Sequence, residues 1–226
     1  MDISHYYIER GSGAPLILLH GNSENSGHFS HQIETFSRYY HVYAPDTRGH
    51  GKTPRGDKPF TIRQFAEDLR DVMDGQNIEK AHILGFSDGA NIAMIFAMRW
   101  PERVDRLILD GGNLQPEGVK RRVQKGIELV YKAAGKLAPR YPTAKALEEM
   151  MGLMINDPNI RPEELAPIKA RTLVMAGTKD LILEEHTRLI ADSIPGSELV
   201  FIEGGHLISS QNPVPFNAAV LRFLAK

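Results

Sequence analysis

The 226-residue chain predicts an α/β fold: a mostly parallel central sheet of about seven strands with helices on both faces. Three observations carry this. Short apolar runs alternate with helical stretches, which is the order of a parallel sheet whose strands are joined by crossover helices. The runs are apolar along their whole length, as strands covered on both faces must be. Between residues 111 and 167 the alternation stops, and a block of helical pieces broken by prolines takes its place.

Taken in order, a strand is expected at 4–9, followed by one at 16–20, where Leu16-Ile-Leu-Leu runs into His20-Gly21. Another is expected at 41–44. Ala81-His-Ile-Leu84 reads as a strand and Ala90 to Met98 as a buried helix, with only a tight turn between them. Strands at 104–109, 172–176 and 198–202 complete the sheet. Helices at 27–38, 62–76, 89–99, 185–193 and 213–224 fill the intervals. Only about one strand precedes Leu16, so the first edge of the sheet is short.

The interrupted stretch holds helical pieces near 116–135 and 143–155, separated by Pro139, Pro142 and Pro158. Residues 112–167 are therefore expected to form a helical insertion into a core of 1–111 and 168–226. Its apolar side chains Val130, Tyr131, Leu147, Met150, Met151 and Met154 are candidates to line a pocket. For any single one of them, burial against the core explains the same helical spacing. A methionine-rich lining adapts to varied shapes and implies a broad substrate range.

Gly85-Phe86-Ser87-Asp88-Gly89 joins the strand at 81–84 to the helix at 89–99. A serine on such a sharp bend lifts its hydroxyl above the sheet edge, and glycines two residues before and after it relieve the crowding. The following helix aims its first amides at the same spot, where they meet a developing negative oxygen. Bare Gly-x-Ser-x-Gly is a weak signal, but the flanking strand and helix supply the context that a nucleophile elbow needs. Acyl transfer to water is the chemistry this predicts.

Five landmarks in order resemble the α/β-hydrolase superfamily along nearly the whole chain: His20-Gly21, Asp46-Thr-Arg-Gly-His-Gly51, Gly85 to Gly89, Gly177-Thr-Lys-Asp180 and Gly205-His206. The resemblance implies the α/β-hydrolase fold with a small helical cap. A serine at the elbow argues against haloalkane dehalogenases and epoxide hydrolases, which place an aspartate there. Serine esterases, thioesterases, lactonases, carbon-carbon bond hydrolases, aminopeptidases and cofactor-free haloperoxidases stay open. Gly85 to Gly89 together with Asp110-Gly-Gly-Asn113 is most similar to the valacyclovir hydrolase and biphenyl-hydrolase-like group. That similarity implies a substrate-binding role for Asp88, as the partner of an α-amino group. A carboxylate in a first helical turn also suits the helix dipole by itself.

A serine hydroxyl needs a base, and a carboxylate to hold that base in the right tautomer. In this superfamily the order is Ser, acid, His, which leaves His186 and His206. His206 follows the strand at 198–202 and the pair Gly204-Gly205, so it sits at a strand's C-terminal end and is assigned as the base. His186 lies in a helical pattern beside two glutamates and reads as a surface residue. Asp180, after the strand at 172–176, is the preferred acid. Asp110, ending the earlier strand, is the alternative, and the one not used reads as a turn or cap residue. The oxyanion hole is expected from the backbone amides of Asn22 and Asp88, with His20 structural.

The expected function is hydrolysis of carboxylic esters of small molecules through an acyl-enzyme, as a carboxylesterase, with Ser87, Asp180 and His206 catalytic. Alternatives are an α-amino acid ester hydrolase of aminopeptidase-like kind, a carbon-carbon bond hydrolase, and a ligand receptor that retains the triad. No cofactor or metal is expected. His28 and His31, three apart on a helix, lack the further ligands of a metal site and read as surface histidines. Gly51-Lys52-Thr53 lacks the earlier glycine of a phosphate loop, and Gly11-Ser-Gly13 precedes a strand, the wrong side for a dinucleotide fingerprint. A formal net charge of −1 argues against a nucleic-acid partner, and Lys120-Arg121-Arg122 reads as the solvated face of a helix. The absence of cysteine, a polar N-terminus and short apolar runs predict a cytoplasmic protein with no membrane partner. Oligomeric state is not specified.

Overall fold

The computed structural model describes residues 2–226. Seven strands form one sheet: β1 (Tyr7–Arg10), β2 (Pro15–Leu19), β3 (His41–Pro45), β4 (Ala81–Phe86), β5 (Val104–Asp110), β6 (Arg171–Gly177) and β7 (Glu198–Ile202). Their spatial order is β1-β3-β2-β4-β5-β6-β7, and every pairing is parallel except that of β1 with β3. The expected strands all form, with ends shifted by up to three residues. β1 starts at Tyr7 because the residues before it do other work: the Asp2 carboxylate is held by Arg48 and Ile3 is buried.

Alternation along each strand divides its side chains between two cores. Leu16 and Leu18 of β2 join Val42, Leu84, Ile108 and Leu173 on one face, while Ile17 and Leu19 join Ile83, Leu107 and Val174 on the other. Two helices cover the first face: α1 (Ser30–Phe36), and α8 (Pro213–Leu224) entered through the single turn of α7 (Ile208–Gln211). The second face is covered by α2 (Ile62–Gly75), α3 (Asp88–Arg99) and α6 (Glu184–Ser193). Ten residues of α3 are buried, among them Ile92, Met94, Ile95 and Phe96, which makes it the central core helix.

The expected helix at 27–38 is instead a 3-10 turn, Ser26–Phe29, leading into α1, and the Asn25 side chain caps the turn by accepting from the Gly27 amide. Single 3-10 turns at Pro101–Arg103 and Pro162–Leu165, like α7, are too short to leave a periodic signal. Between β5 and β6 stand α4 (Arg121–Leu137) and α5 (Pro142–Asn156), packed chiefly on each other. Proline at the first position of α5 costs nothing, since that amide has no helical partner. The stretch 116–120, expected inside the first of these helices, is a 3-10 turn at Pro116–Gly118 followed by extended residues. Val119 bridges to Ile182, which stitches the base of the insertion to the loop after β6.

Candidate active site

Ser87 sits between β4 and α3 with φ 53° and ψ −119°, a conformation that an L-residue adopts only at a cost of about 1–3 kcal/mol. The elbow leaves no room for side chains at its glycines. A Cβ on Gly85 would lie 2.2 Å from the Gly89 carbonyl oxygen, and one on Gly89 would lie 2.0 Å from that of Leu19. The Ser87 amide donates to the Asp110 carbonyl at 2.8 Å, fixing the turn to the end of β5.

Ser87, His206 and Asp180, placed by the ends of three different strands, come together in one hydrogen-bonded chain. His206 Nε2 lies 3.0 Å from Ser87 Oγ, and His206 Nδ1 lies 2.7 Å from Asp180 Oδ1. With the proton on Nδ1, the ring donates to Asp180 and accepts from Ser87, the arrangement a general base requires. Asp180 is buried, and burial alone would raise its pKa; the His206 contact and the amides of Ile182 and Gly177 outweigh that and hold it below the usual carboxylate range. The imidazole rests against the Phe86 ring, with centroids 4.8 Å apart, and over Gly111, where a Cβ would come within 2.9 Å of it.

Asp110 makes no hydrogen bond to His206. It is neither a turn nor a cap residue: its carboxyl is 0 % exposed and neither oxygen has a partner. Burial pushes its pKa well above the ordinary value, and the charges of Asp180 and Glu24 push it the same way.

The amides of Asn22 and Asp88 donate to no group among the described residues, and that of Asp88 opens α3. The loop carrying Asn22 is pinned from below. His20 Nε2 accepts from the Thr47 amide at 3.0 Å while Nδ1 donates to the Gly21 carbonyl at 2.8 Å, and burial drives the imidazole pKa down to about 4. Glu24, which sequence reasoning passed over, accepts from the Gly21 amide and pairs with His28. His28 is accordingly not a surface residue: its ring stacks on Phe86 at 4.6 Å and reaches Ser209. His186 is likewise half-buried, with Nε2 accepting from the Leu114 amide at 2.9 Å. Both contacts join residues more than seventy positions apart, so no local pattern announces them.

The Asp88 side chain is buried too. It accepts from Asn22 Nδ2 at 2.9 Å and Asn91 Nδ2 at 3.4 Å, and burial pushes its pKa up to about 6. Asn22 Nδ2 also donates to the Met150 carbonyl of α5, so one amide group ties the elbow, the loop after β2 and the insertion together. Lys120 is exposed, as a solvated position should be, and its ammonium also donates to the Asp180 carbonyl.

A cavity of about 330 Å³ opens above Ser87 and His206. Its apolar wall comes from Phe86, Leu181, Ile182, Leu207 and the insertion. Of the six insertion side chains expected there only Met154 lines it; Val123 and Ile127, four apart on α4, share the face toward the cavity, and Val119 reaches it from its extended bridge to Ile182. Val130 and Leu147 are exposed, and Met150 contributes its carbonyl. Among the described residues, no group of three or more His, Asp or Glu side chains is placed to hold a metal ion.

Comparison with known proteins places this geometry in a family. The chain is 28% identical over 98% of its length to the RutD protein of Azorhizobium caulinodans, provisionally named a carbamate hydrolase, covering 95% of that protein. It is 28% identical over 93% of its length to a 2-hydroxy-6-oxononadienedioate/2-hydroxy-6-oxononatrienedioate hydrolase of Escherichia coli K12, covering 87% of it. Among solved structures, Est816, an N-acyl homoserine lactone degrading enzyme, superposes with a TM-score of 0.81 at 27% identity, over 98% of this chain and 97% of that one. Residues 14–139 match the family model of the alpha/beta hydrolase fold, more than half of the chain, and with the seven-stranded sheet this makes the protein a hydrolase belonging to the α/β-hydrolase fold family.

Proposed function

We propose that the protein is a serine hydrolase that cleaves carboxylic esters of small molecules through an acyl-enzyme. The observation that carries this reading is the unbroken chain from Ser87 Oγ through both His206 nitrogens to Asp180, set on a strained elbow at the floor of the cavity. His206 Nε2 takes the Ser87 proton as Oγ adds to the ester carbonyl. The oxyanion is met by the amides of Asn22 and Asp88, and Asp180 stabilises the imidazolium. His206 then returns the proton to the departing alkoxide, leaving an acyl-Ser87 ester. Water enters, gives its proton to His206 and its oxygen to the acyl group, and Ser87 is restored.

Charge on the cavity wall narrows the substrate. Its lining residues include Glu24 and Asp88 but no Lys or Arg. That wall opposes an anionic substrate such as the dienedioate named for the E. coli relative, and so disfavours carbon-carbon cleavage of that acid. It suits neutral esters, and α-amino acid esters whose ammonium group Asp88 binds. With its pKa near 6, Asp88 gains its charge as pH rises. Relative to a neutral ester, kcat/KM for an aminoacyl ester therefore rises between pH 5 and pH 7 by about tenfold, and Asp88→Asn flattens the profile.

Turnover of p-nitrophenyl esters, with Ser87→Ala as control, tests the reaction, and a fluorophosphonate with mass mapping tests the nucleophile. Ester hydrolysis together with label on Ser87 is the expected result. No turnover and no label would leave a ligand receptor, while turnover of a neutral vinylogous 1,5-diketone without ester turnover would turn the assignment to carbon-carbon cleavage.

A further inference from the structure

The catalytic cavity leaves one surface of the molecule unexplained. Between Lys120 and Lys145 eight side chains are basic and only Glu128 is acidic. This short stretch thus carries a surplus of seven positive charges in a chain whose formal net charge is −1, and the remainder carries a surplus of eight negative ones. Arg121, Arg122, Lys125, Lys132, Lys136 and Arg140 are all exposed, and none forms an ion pair among the described residues.

The same stretch is apolar where it should not be. Six of the ten large apolar side chains exposed among the described residues lie between Val123 and Leu147. Leu129 is 70% exposed and Tyr141 is 55% exposed. Val123, Val130 and Leu137 recur every seven residues and so share one face of α4. That strip starts at the catalytic cavity, which Val123 and Ile127 line, and runs out along the helix to Leu137, with Tyr141 just beyond.

We infer that the α4 face docks on an anionic lipid surface. Leu129 lies four residues after Lys125, three before Lys132 and seven before Lys136, so it shares their face of α4, with Leu137 at its edge. Basic side chains around exposed apolar ones are the chemistry by which a helix lies in a headgroup layer, the cations on lipid phosphates and the apolar residues at the acyl boundary. No helix of the described chain is long and apolar enough to cross a membrane, so the contact is peripheral. A second copy is the poorer occupant. Symmetric pairing of this face would set seven surplus positive charges against seven, and head-to-tail pairing onto the acidic remainder would not close. Continuity of the strip with the cavity gives docking a consequence: an amphiphilic ester passes from the layer to Ser87 without crossing bulk water.

Cosedimentation of the full chain with sucrose-loaded vesicles tests this, using phosphatidylglycerol mixed into phosphatidylcholine against phosphatidylcholine alone. Binding is expected only to the anionic vesicles and is reversed by high salt. Each lysine at such a surface contributes roughly a fivefold factor, so Lys125→Gln, Lys132→Gln and Lys136→Gln together lower partitioning on the order of a hundredfold. Leu129→Ser with Leu137→Ser weakens it at unchanged charge. Circular dichroism verifies that the variants fold, and because binding is read without turnover, the Ser87→Ala protein serves equally well. Equal affinity for both vesicle types, no binding at all, or variants that bind as well as the parent overturn the inference. A parent dimer in sedimentation velocity that these substitutions split, with no vesicle binding, assigns the face to a second copy.

Discussion

The strand ends around Ser87 and the helical pair α4–α5 are built by opposite rules. Around Ser87, glycines are packed to the limit, Gly177 included, where a Cβ would lie 2.0 Å from the Gly205 carbonyl oxygen. The helix behind the elbow buries ten of its twelve residues. In α4 and α5 a single residue each, Ala134 and Leu153, is buried. Polar tethers hold this pair to the body: Asn22 to the Met150 carbonyl, Lys120 to the Asp180 carbonyl and Arg55 to Glu149. Tight packing suits the proton transfer proposed for the first region, which tolerates little positional error. The second bounds the cavity and is only lightly buried.

The comparison is broken most directly at His206. If the strand-end region is committed to chemistry, His206→Ala lowers kcat by about a millionfold, the scale seen when a serine-enzyme base is removed, while thermal stability changes little. Stopped assays on p-nitrophenyl butyrate alongside a melting curve check both halves. A variant that keeps activity within tenfold would show that the hydrogen-bonded chain is not the working one.

Next in size is the choice between two carboxyls. Asp180→Asn donates where the imidazole needs an acceptor, so kcat falls by about ten thousandfold, as in the trypsin case. Asp110 touches no part of the imidazole by hydrogen bond, and its removal leaves kcat within a few fold. Reversal of these two outcomes would transfer the acid role to Asp110.

Asp110 also carries the third prediction, on stability. A carboxyl whose pKa is raised in the folded state opposes folding whenever the unfolded chain would ionise it. The penalty is absent below the unfolded value, grows as pH climbs toward the folded one, and is constant above it. Replacement by Leu, of similar shape, removes a buried group with no partner. The variant is therefore more stable than the parent by roughly 1–3 kcal/mol at pH 8, and by less at pH 4. Urea unfolding at the two pH values checks the sign. A destabilised variant at pH 8 would mean that Asp110 has a partner.

How much of this was legible in the chain follows the same division. Strands apolar on both faces and the Gly-x-Ser-x-Gly bend are local patterns with local physical causes, and the sheet they predict is the sheet that forms. His206 and Asp180 could be singled out because each follows a strand directly. The isolation of Asp110, the stacking of His28 on Phe86 and the reach of Asn22 to Met150 depend on segments far apart in sequence. The insertion was legible as helices but not as a wall. Which face of α4 meets the cavity is set by where its first turn is stitched to Ile182, and helical spacing alone does not contain that contact.

The smallest expected effect sharpens the comparison from the insertion's side. Arg55 holds Glu149 of α5 through two bonds, at 2.8 Å and 2.9 Å, across 94 residues of chain, and also donates to the carbonyls of Gly56 and Lys58. Glu149→Gln is the cleaner change, since it leaves those backbone contacts intact. The pair is partly exposed, and such pairs contribute under about 1 kcal/mol, so the melting temperature moves little. If the insertion bounds the cavity and takes no part in proton transfer, loosening this tether raises KM for bulky esters severalfold while kcat for p-nitrophenyl acetate stays where it was. A fall in kcat for the small ester would show instead that the position of α5 reaches the oxyanion loop through Asn22, and the two regions would then be one machine.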